Sequence, residues 1–497
     1  MERRSVGKNA VISFGGQIII IALGFVVPRI FISNYGSDIN GLLSTLGQVF
    51  TYLALLEAGI SHAAKMALYK PLHDKSLEDI SKVSSVARGY YRRISIFYIA
   101  AVIVVSIIAP LVLKTNVDKK TVFFVVLLEG LSGACAFYYI QTYYVILQAD
   151  GHGFVNDSIN LLYRVLSYIA RIVLAINGVS IILLQACYLV LTIVKIFIYK
   201  RYFRNHYSWL SFSRPDKGEK LPDRNSYIII EIAWTIFSST DLIILSTFLS
   251  TSASSTYSVY NMVFVGLHSV LNAVYVSTNY VLGMKYHEGI KEYENTHDLY
   301  MSIFLGTMTL LMSVTIFLMI PFISIYTKNI SDVNYIYPGL PIMFCLVQLL
   351  SWSRYIQGNL MGLAGRAKQT GIVSIIEAIG NVSLSMLLVG KYGIYGVLFA
   401  TVITLPLKVI YTTIVSDRMI IHRSCWKSVR IIISNLLVFS VNVVFSRYVP
   451  LQIDSVVKFI IAGSVIFIVN VFFVGIVNCL VNPNLFASIR RLKGYVR

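Results

Sequence analysis

Thirteen ionisable side chains stand inside stretches of sequence that are otherwise apolar. The acids are Glu57, Glu129, Asp157, Glu231, Asp241 and Glu377, and the bases are Arg29, Arg164, Arg171, Lys195, Arg354, Lys408 and Lys458. A charge at the centre of a bilayer is costly, about 3 kcal/mol on insertion scales, so such residues mark substrate or ion pathways by default. Lys195 and Lys458 lie near the ends of their runs and can reach the interface along their apolar stems. Arg29, Glu57 and Asp157 also lie near ends, whereas Arg164, Asp241 and Arg354 fall nearest the middle. A guanidinium presents a rigid fork of donors matched to phosphate oxygens. Arg164 and Arg354, facing one cavity, would hold a diphosphate; the alternative is that they pair with Asp241, Glu129 or Glu377.

Uncharged polar residues extend these positions into helical stripes. One run carries Asp157, Asn160, Arg164 and Arg171; a second Glu231, Thr235, Ser238 and Asp241; a third Asn261, His268, Asn272 and Asn279; a fourth Ser374, Glu377, Asn381 and Ser385. The expected substrate-binding set is therefore Arg29, Arg164, Arg171, Arg354, Asn272 and Asn381. The expected ion-coupling or gating set is Glu57, Glu129, Glu231, Asp241 and Glu377. No catalytic residue, metal ligand or cofactor is expected, beyond a proton or sodium ion as coupling ion. The competing reading of the stripes is buried hydrogen bonding between helices.

The elements that must carry these residues follow from composition. Of 497 residues 56% are hydrophobic and only 13% charged, and the mean hydropathy is +0.72. A soluble fold cannot bury that much apolar surface, and the apolar runs are about 20 residues long, as a membrane-crossing helix requires. Fourteen spans are read, at residues 10–32, 39–60, 94–113, 121–147, 155–176, 179–199, 227–249, 257–283, 300–326, 341–363, 370–389, 395–415, 429–445 and 456–480. The first run is too long, and lacks the small-residue site, for a cleavable leader, so it is expected to remain as an anchor. With both termini cytoplasmic, the inside segments, counting Arg430 at the edge of the thirteenth run, hold 29 Lys and Arg and the outside segments 6. That asymmetry is the positive-inside pattern, and it accounts for a net charge of +19 without nucleic acid. The basic stretch Leu77–Arg93 reads either as an amphipathic helix on the inner leaflet or as a solvated loop.

The chain also repeats itself. Tyr139-Ile140-Gln141 recurs as Tyr355-Ile356-Gln357, and Val49-Phe50 resembles Val263-Phe264 at nearly the same offset. This points to two six-helix lobes, 1–199 and 227–416, joined by a cytoplasmic linker at 200–226. Two extra helices and a basic tail follow in 417–497. Such a parallel repeat places a site between the lobes near the midplane. No phosphate-binding loop, zinc-protease helix or serine-nucleophile elbow is present. The five cysteines form no CxxC pair. Enzymatic chemistry is not expected; a membrane glycan polymerase would need a long outer loop, and the longest here is about 327–340. A major-facilitator transporter would carry a basic GxxxDRxGRR-like motif where Ser61–Tyr69 stands.

Several local patterns resemble a known family. Lys8-Asn9-Ala10, Gly15-Gly16-Gln17, Gly24-Phe25-Val26-Val27-Pro28-Arg29, Tyr35-Gly36, Gly41-Leu42 and Leu55-Leu56-Glu57-Ala58-Gly59-Ile60 resemble the first two helices of bacterial polysaccharide flippases. These are the O-antigen and capsule transporters of the multidrug/oligosaccharidyl-lipid/polysaccharide exporter superfamily. Asp241-Leu242-Ile243-Ile244-Leu245 followed by Tyr257 resembles the seventh-helix pattern, although Ser250 and Ser254-Ser255 stand where the family has glycine. The resemblance implies alternating access by two rocking lobes in a bacterial cytoplasmic membrane. Its substrate would be an undecaprenyl-diphosphate-linked oligosaccharide, moved from inner to outer leaflet among membrane lipids, with a polysaccharide polymerase and a chain-length regulator as partners. In related lipid II flippases two extra helices help form a groove for the lipid tail. A cation-coupled multidrug exporter of the same superfamily is the alternative.

Overall fold

A computed structural model describes residues 2–57, 60–212, 235–449 and 455–483, together with positions 232, 451, 453 and 485. Among these residues every regular element is helical. The first helices are α1 (Glu2–Tyr35), α2 (Ser37–Ala54, ending in the tight turn Leu55–Glu57), α3 (Ile60–His73) and α4 (Leu77–Val112). Next come α5 (Lys119–Tyr139), α6 (Gln141–Ala149), α7 (Gly153–Ile176), α8 (Ile181–His206) and α9 (Asp241–Phe248). Beyond them lie α10 (Thr251–Glu288), α11 (Ile290–Tyr326), α12 (Leu340–Trp352), α13 (Tyr355–Leu363) and α14 (Ala367–Tyr392). The last are α15 (Ile394–Ile414, continued by the π-turn Val415–Ile420), α16 (Trp426–Tyr448) and α17 (Val456–Val481). Eleven of these helices are long and apolar enough to cross a bilayer, and a shorter apolar stretch, Ile19–Tyr35, lies in α1. The broken pair α12–α13 and the short α9 fall within the tenth and seventh expected spans, most of the first part of the seventh lying outside the described residues. The chain is a multi-pass membrane protein.

Two compact units divide the chain at 1–255 and 256–497, one turn into α10. In the first unit α4 packs on α5, α1 on α7 and α5 on α8, and the short α9 lies against α2. Thr45 of α2 bonds Ser246 of α9 at 2.6 Å, and Asn40 bonds Ser255 at 2.8 Å. The two segments approach closely because Gly41 has no side chain: a Cβ there would lie 1.6 Å from the Thr251 carbonyl oxygen. In the second unit α14 packs on α15, and α11 holds α12, α16 and α17. The last helix, α17, buries only Asn470, Val474 and Asn478, a single stripe at four-residue spacing. Asn478 exchanges amide hydrogen bonds of 3.0 and 3.1 Å with Asn435 of α16. Gly306 of α11 leaves room for that pair, as small residues do where membrane helices meet.

The repeat is visible in the helices themselves. Spans four and ten, read as single helices, are each broken, at Ile140 and at Ser353–Arg354, and each resumes as a nine-residue helix, α6 and α13. Each short helix is followed by a glycine in the left-handed region, Gly151 at φ 75° and Gly365 at φ 72°, 214 residues apart. Only glycine adopts that conformation readily. The breaks carry no proline; they sit where Gln141 and Arg354 reach sideways into neighbouring helices.

Leu77–Arg93 is neither a separate surface helix nor a loop. It is the first half of α4, a continuous 36-residue helix, about 54 Å long at 1.5 Å per residue. Ser76 caps it, its hydroxyl accepting from the Asp79 backbone N–H at 3.3 Å. Its buried residues, Ile80, Val86, Ala87 and Tyr91, share a core with α3 and α6 rather than facing lipid.

Gly41→Ala is expected to lower stability by about 2 kcal/mol or more, because the obstruction is backbone, which cannot swing aside. Gly47→Ala, on the same helix with nothing within 4 Å of its Cβ, is expected to be neutral or slightly stabilising. Thermal unfolding of the purified protein checks the pair; equal midpoints would contradict the close approach.

Candidate functional site

In the first unit, α2, α4, α5, α7 and α8 enclose a cavity of 610 Å³, within the usual range for a ligand site. Gly47, Ser132, Gly133 and Ala136 leave the space, and polar groups enter it from four sides. Gly133 is needed because a Cβ there would lie 2.5 Å from the Tyr98 hydroxyl. Arg164 of α7 and Lys195 of α8 project into the cavity with Glu129, Tyr98, Tyr163 and Tyr188. Lys195 Nζ stands 4.7 Å over the Tyr163 ring, whose hydroxyl bonds Thr192 at 2.9 Å. Behind the wall, the Arg171 guanidinium lies 4.6 Å over the Tyr188 ring, and Arg171 interacts electrostatically with Glu129. Glu129 accepts a 3.2 Å bond from Gln185.

Arg164, Lys195 and Arg171 form no ion pair with a carboxylate among the described residues. Aromatic faces stabilise two of them instead. A ring attracts a cation through its quadrupole and, unlike a carboxylate, does not occupy the N–H donors at the cation's edge. The site can therefore take an anion with two or more acceptor oxygens, and its tyrosines offer hydroxyls and flat faces beside it.

In the second unit the arginine of the expected pair is engaged. Arg354 is buried, and its Nη1 donates to both oxygens of Glu377 at 2.6 and 2.8 Å. Lys408 reaches the same carboxylate at 3.4 Å and donates to Ser374 at 2.6 Å. Asn381 donates to Thr401 at 2.9 Å, and its own carbonyl oxygen is buried without a partner. The stripe on α10 lies along α12 and α13: His268 contacts Gln348 and Tyr355 at 3.3 and 3.2 Å. Asn279 accepts from Asn359 at 3.3 Å, and Asn272 is half-buried.

The other expected positions are dispersed. Arg29 is half-buried in α1, one residue after Pro28. Glu57, at the end of α2, accepts from Ser61 and, at 2.6 Å, from Gln141 beside the α5–α6 break. Asp241 begins α9 beside Tyr52, whose hydroxyl bonds Thr240. Glu231 lies outside the described residues.

Two features escape a sequence reading. Lys195, whose position near a span end predicts a reach to the interface, lines the cavity. Arg423, between the π-turn and α16, is the hub of a buried network that binds Asp298 at 2.6 Å, Asp417 at 2.7 Å and Glu294 at 3.3 Å. Burial opposes the Arg423 charge, but Asp298 and Asp417 outweigh it and raise its proton affinity. The spacing of Asp298, Asp417 and Arg423 along the chain carries no signal of their meeting.

No protein-family model and no curated protein sequence matches the chain. Solved structures do. The chain is similar to lipid II flippase MurJ in an inward closed conformation, with a TM-score of 0.69 and 16% identity over 94% of this chain and 98% of that one. It is also similar to an inward-facing multidrug resistance MATE family transporter of the MOP superfamily, with a TM-score of 0.65 and 15% identity over 83% and 98%. The MATE multidrug transporter DinF-BH gives 0.59 and 16% over 83% and 96%. The fold is that of these transporters.

The two arginines are expected to respond differently to mutation. Glu377→Gln removes the counter-charge shared by Arg354 and Lys408 in a buried site, a loss of about 3–5 kcal/mol. It should lower the thermal midpoint and the amount of protein in the membrane. Arg164→Gln, at an exposed side chain, should stay within about 0.5 kcal/mol of the unaltered protein. Equal losses would contradict the assignment.

Proposed function

We propose that this chain is a flippase that carries an undecaprenyl-diphosphate-linked oligosaccharide from the inner to the outer leaflet of a bacterial cytoplasmic membrane, for surface polysaccharide synthesis. The observation that carries the reading is the cavity of the first unit, where Arg164 and Lys195 project among tyrosines without carboxylate partners among the described residues. Moving a phosphate-sized charge from water into a medium of low dielectric costs of order 20 kcal/mol in the ideal limit. Two cations without carboxylate partners among the described residues offset that cost, and a diphosphate supplies the acceptor oxygens they lack. Tyr98, Tyr163 and Tyr188 would meet sugar hydroxyls and ring faces.

Arg354 belongs to a different part of this reading. Paired with Glu377, it holds the second unit together, and Glu377, Lys408, Asn381 and Thr401 form the buried polar set most suited to coupling by a proton or sodium ion. Glu57, Glu129 and Asp241 are the corresponding carboxylates of the first unit. Two of the multidrug transporters cover 83% of the chain, and MurJ covers 94%. The likeness to a lipid flippase supports a lipid-linked substrate. The positive-inside asymmetry supports cytoplasmic termini. The multidrug reading draws on Glu129 at the cavity wall, which would suit a cation.

Arg164→Gln with Lys195→Gln should reduce surface glycan at least tenfold with protein level unchanged, and Arg164→Lys should restore export only in part, a point charge replacing a fork. Deleting the gene should accumulate the lipid-linked glycan without altering sensitivity to cationic dyes. Dye sensitivity with intact surface glycan would decide for the multidrug exporter.

A further inference from the structure

Three more cations of the first unit share the arrangement found in the cavity, and the proposed function leaves them unused. The Arg88 guanidinium lies 4.2 Å over the Phe212 ring and that of Arg92 lies 5.1 Å over Tyr138. Lys200 Nζ stands 4.7 Å over Tyr139. The Tyr138 and Tyr139 rings are themselves 4.6 Å apart, so these groups form one cluster. Arg88 and Arg92 are one turn apart on α4, both charged and mutually repelling. None of the three pairs with a carboxylate among the described residues, although α4 carries Glu78 paired with Lys82 one turn from its start. Three like charges gathered on aromatic faces, with no acid among the described residues to neutralise them, are stabilised by an anion that comes from elsewhere.

The cluster also adjoins the cavity. Tyr138 and Tyr139 end α5, within one turn of Ala136 on the cavity wall. Lys200 follows Lys195 by five residues on α8, and Lys195 is close enough to Arg164 for their charges to interact. Cations therefore run in two tiers, Arg88, Arg92 and Lys200 outside and Lys195 and Arg164 within. In the topology expected from the positive-inside asymmetry, the outer tier lies on the cytoplasmic side of the inner one.

We propose that Arg88, Arg92 and Lys200, seated on Phe212, Tyr138 and Tyr139, form a loading site for a lipid-borne phosphate or diphosphate, which captures the headgroup before it reaches Arg164 and Lys195. The proposal rests on the reading of the cavity as a seat for a lipid diphosphate and adds a second, earlier site to it. Long-range attraction of this kind acts on the rate of association more than on residence.

The full-length protein in phosphatidylcholine vesicles, with a fluorescent farnesyl diphosphate analogue as probe, separates the two tiers. R88Q/R92Q/K200Q is expected to slow association roughly tenfold and to flatten its salt dependence, with dissociation changed less than about twofold. R164Q/K195Q is expected to speed dissociation instead. R88K/R92K, which keeps the charge, should restore association and so controls for a folding defect. An association rate unchanged in the triple variant overturns the loading site. If that variant has also lost co-purifying phosphatidylglycerol by native mass spectrometry, the occupant is a bulk phospholipid. Failure of the unaltered protein to bind the probe overturns the proposed function, and the loading site with it.

Discussion

A cation inside a bilayer or at its edge must find a partner, and the two units of this chain meet that demand in different ways. In the second unit, buried cations have carboxylates: Arg354 and Lys408 share Glu377, and Arg423 gathers Asp298, Asp417 and Glu294. In the first, Arg171, Lys195, Lys200, Arg92 and Arg88 lie on aromatic rings. A carboxylate cancels the charge and occupies the donors; a ring lowers the cost of the charge and leaves both available. The first unit thus carries cations seated on aromatic rings, and the second a set of closed ion pairs.

The closed pairs explain how the extra helices are held. Asn435 and Asn478 join α16 to α17 by reciprocal amide bonds. Asn482, just past α17, donates to the Asp298 carbonyl and to Ser302 on α11. Asp298 in turn binds Arg423 ahead of α16. Since lipid supplies no hydrophobic drive for helices to associate, such polar contacts and close packing must do it. This leaves most of α17 facing outward as apolar surface.

Span number was legible because it rests on length and hydrophobicity, which the bilayer imposes directly. The repeat was legible in Tyr139-Ile140-Gln141 and its copy, and the structure places helix breaks beside both. The breaks themselves carried no signal, since Ile140 and Ser353 are compatible with a continuous helix. Leu77–Arg93 misled because its basic residues suggested a leaflet, whereas its small and apolar ones, Ser84, Ala87 and Tyr91, face other helices. Arg354 and Lys195 show the main limit. Each looked like the other's role from its depth in a span, but whether a cation is neutralised depends on contacts such as that with Glu377, 23 residues away, which no spacing rule supplies.

The central claim is that an anionic headgroup is held by the first unit's unpaired cations. A structure of the protein with a bound polyprenyl-diphosphate sugar tests it most directly. The account predicts diphosphate density between Arg164 and Lys195, with the Arg354–Glu377 pair intact. Diphosphate bound at Arg354, with Glu377 displaced and the first unit's cavity empty, would contradict it.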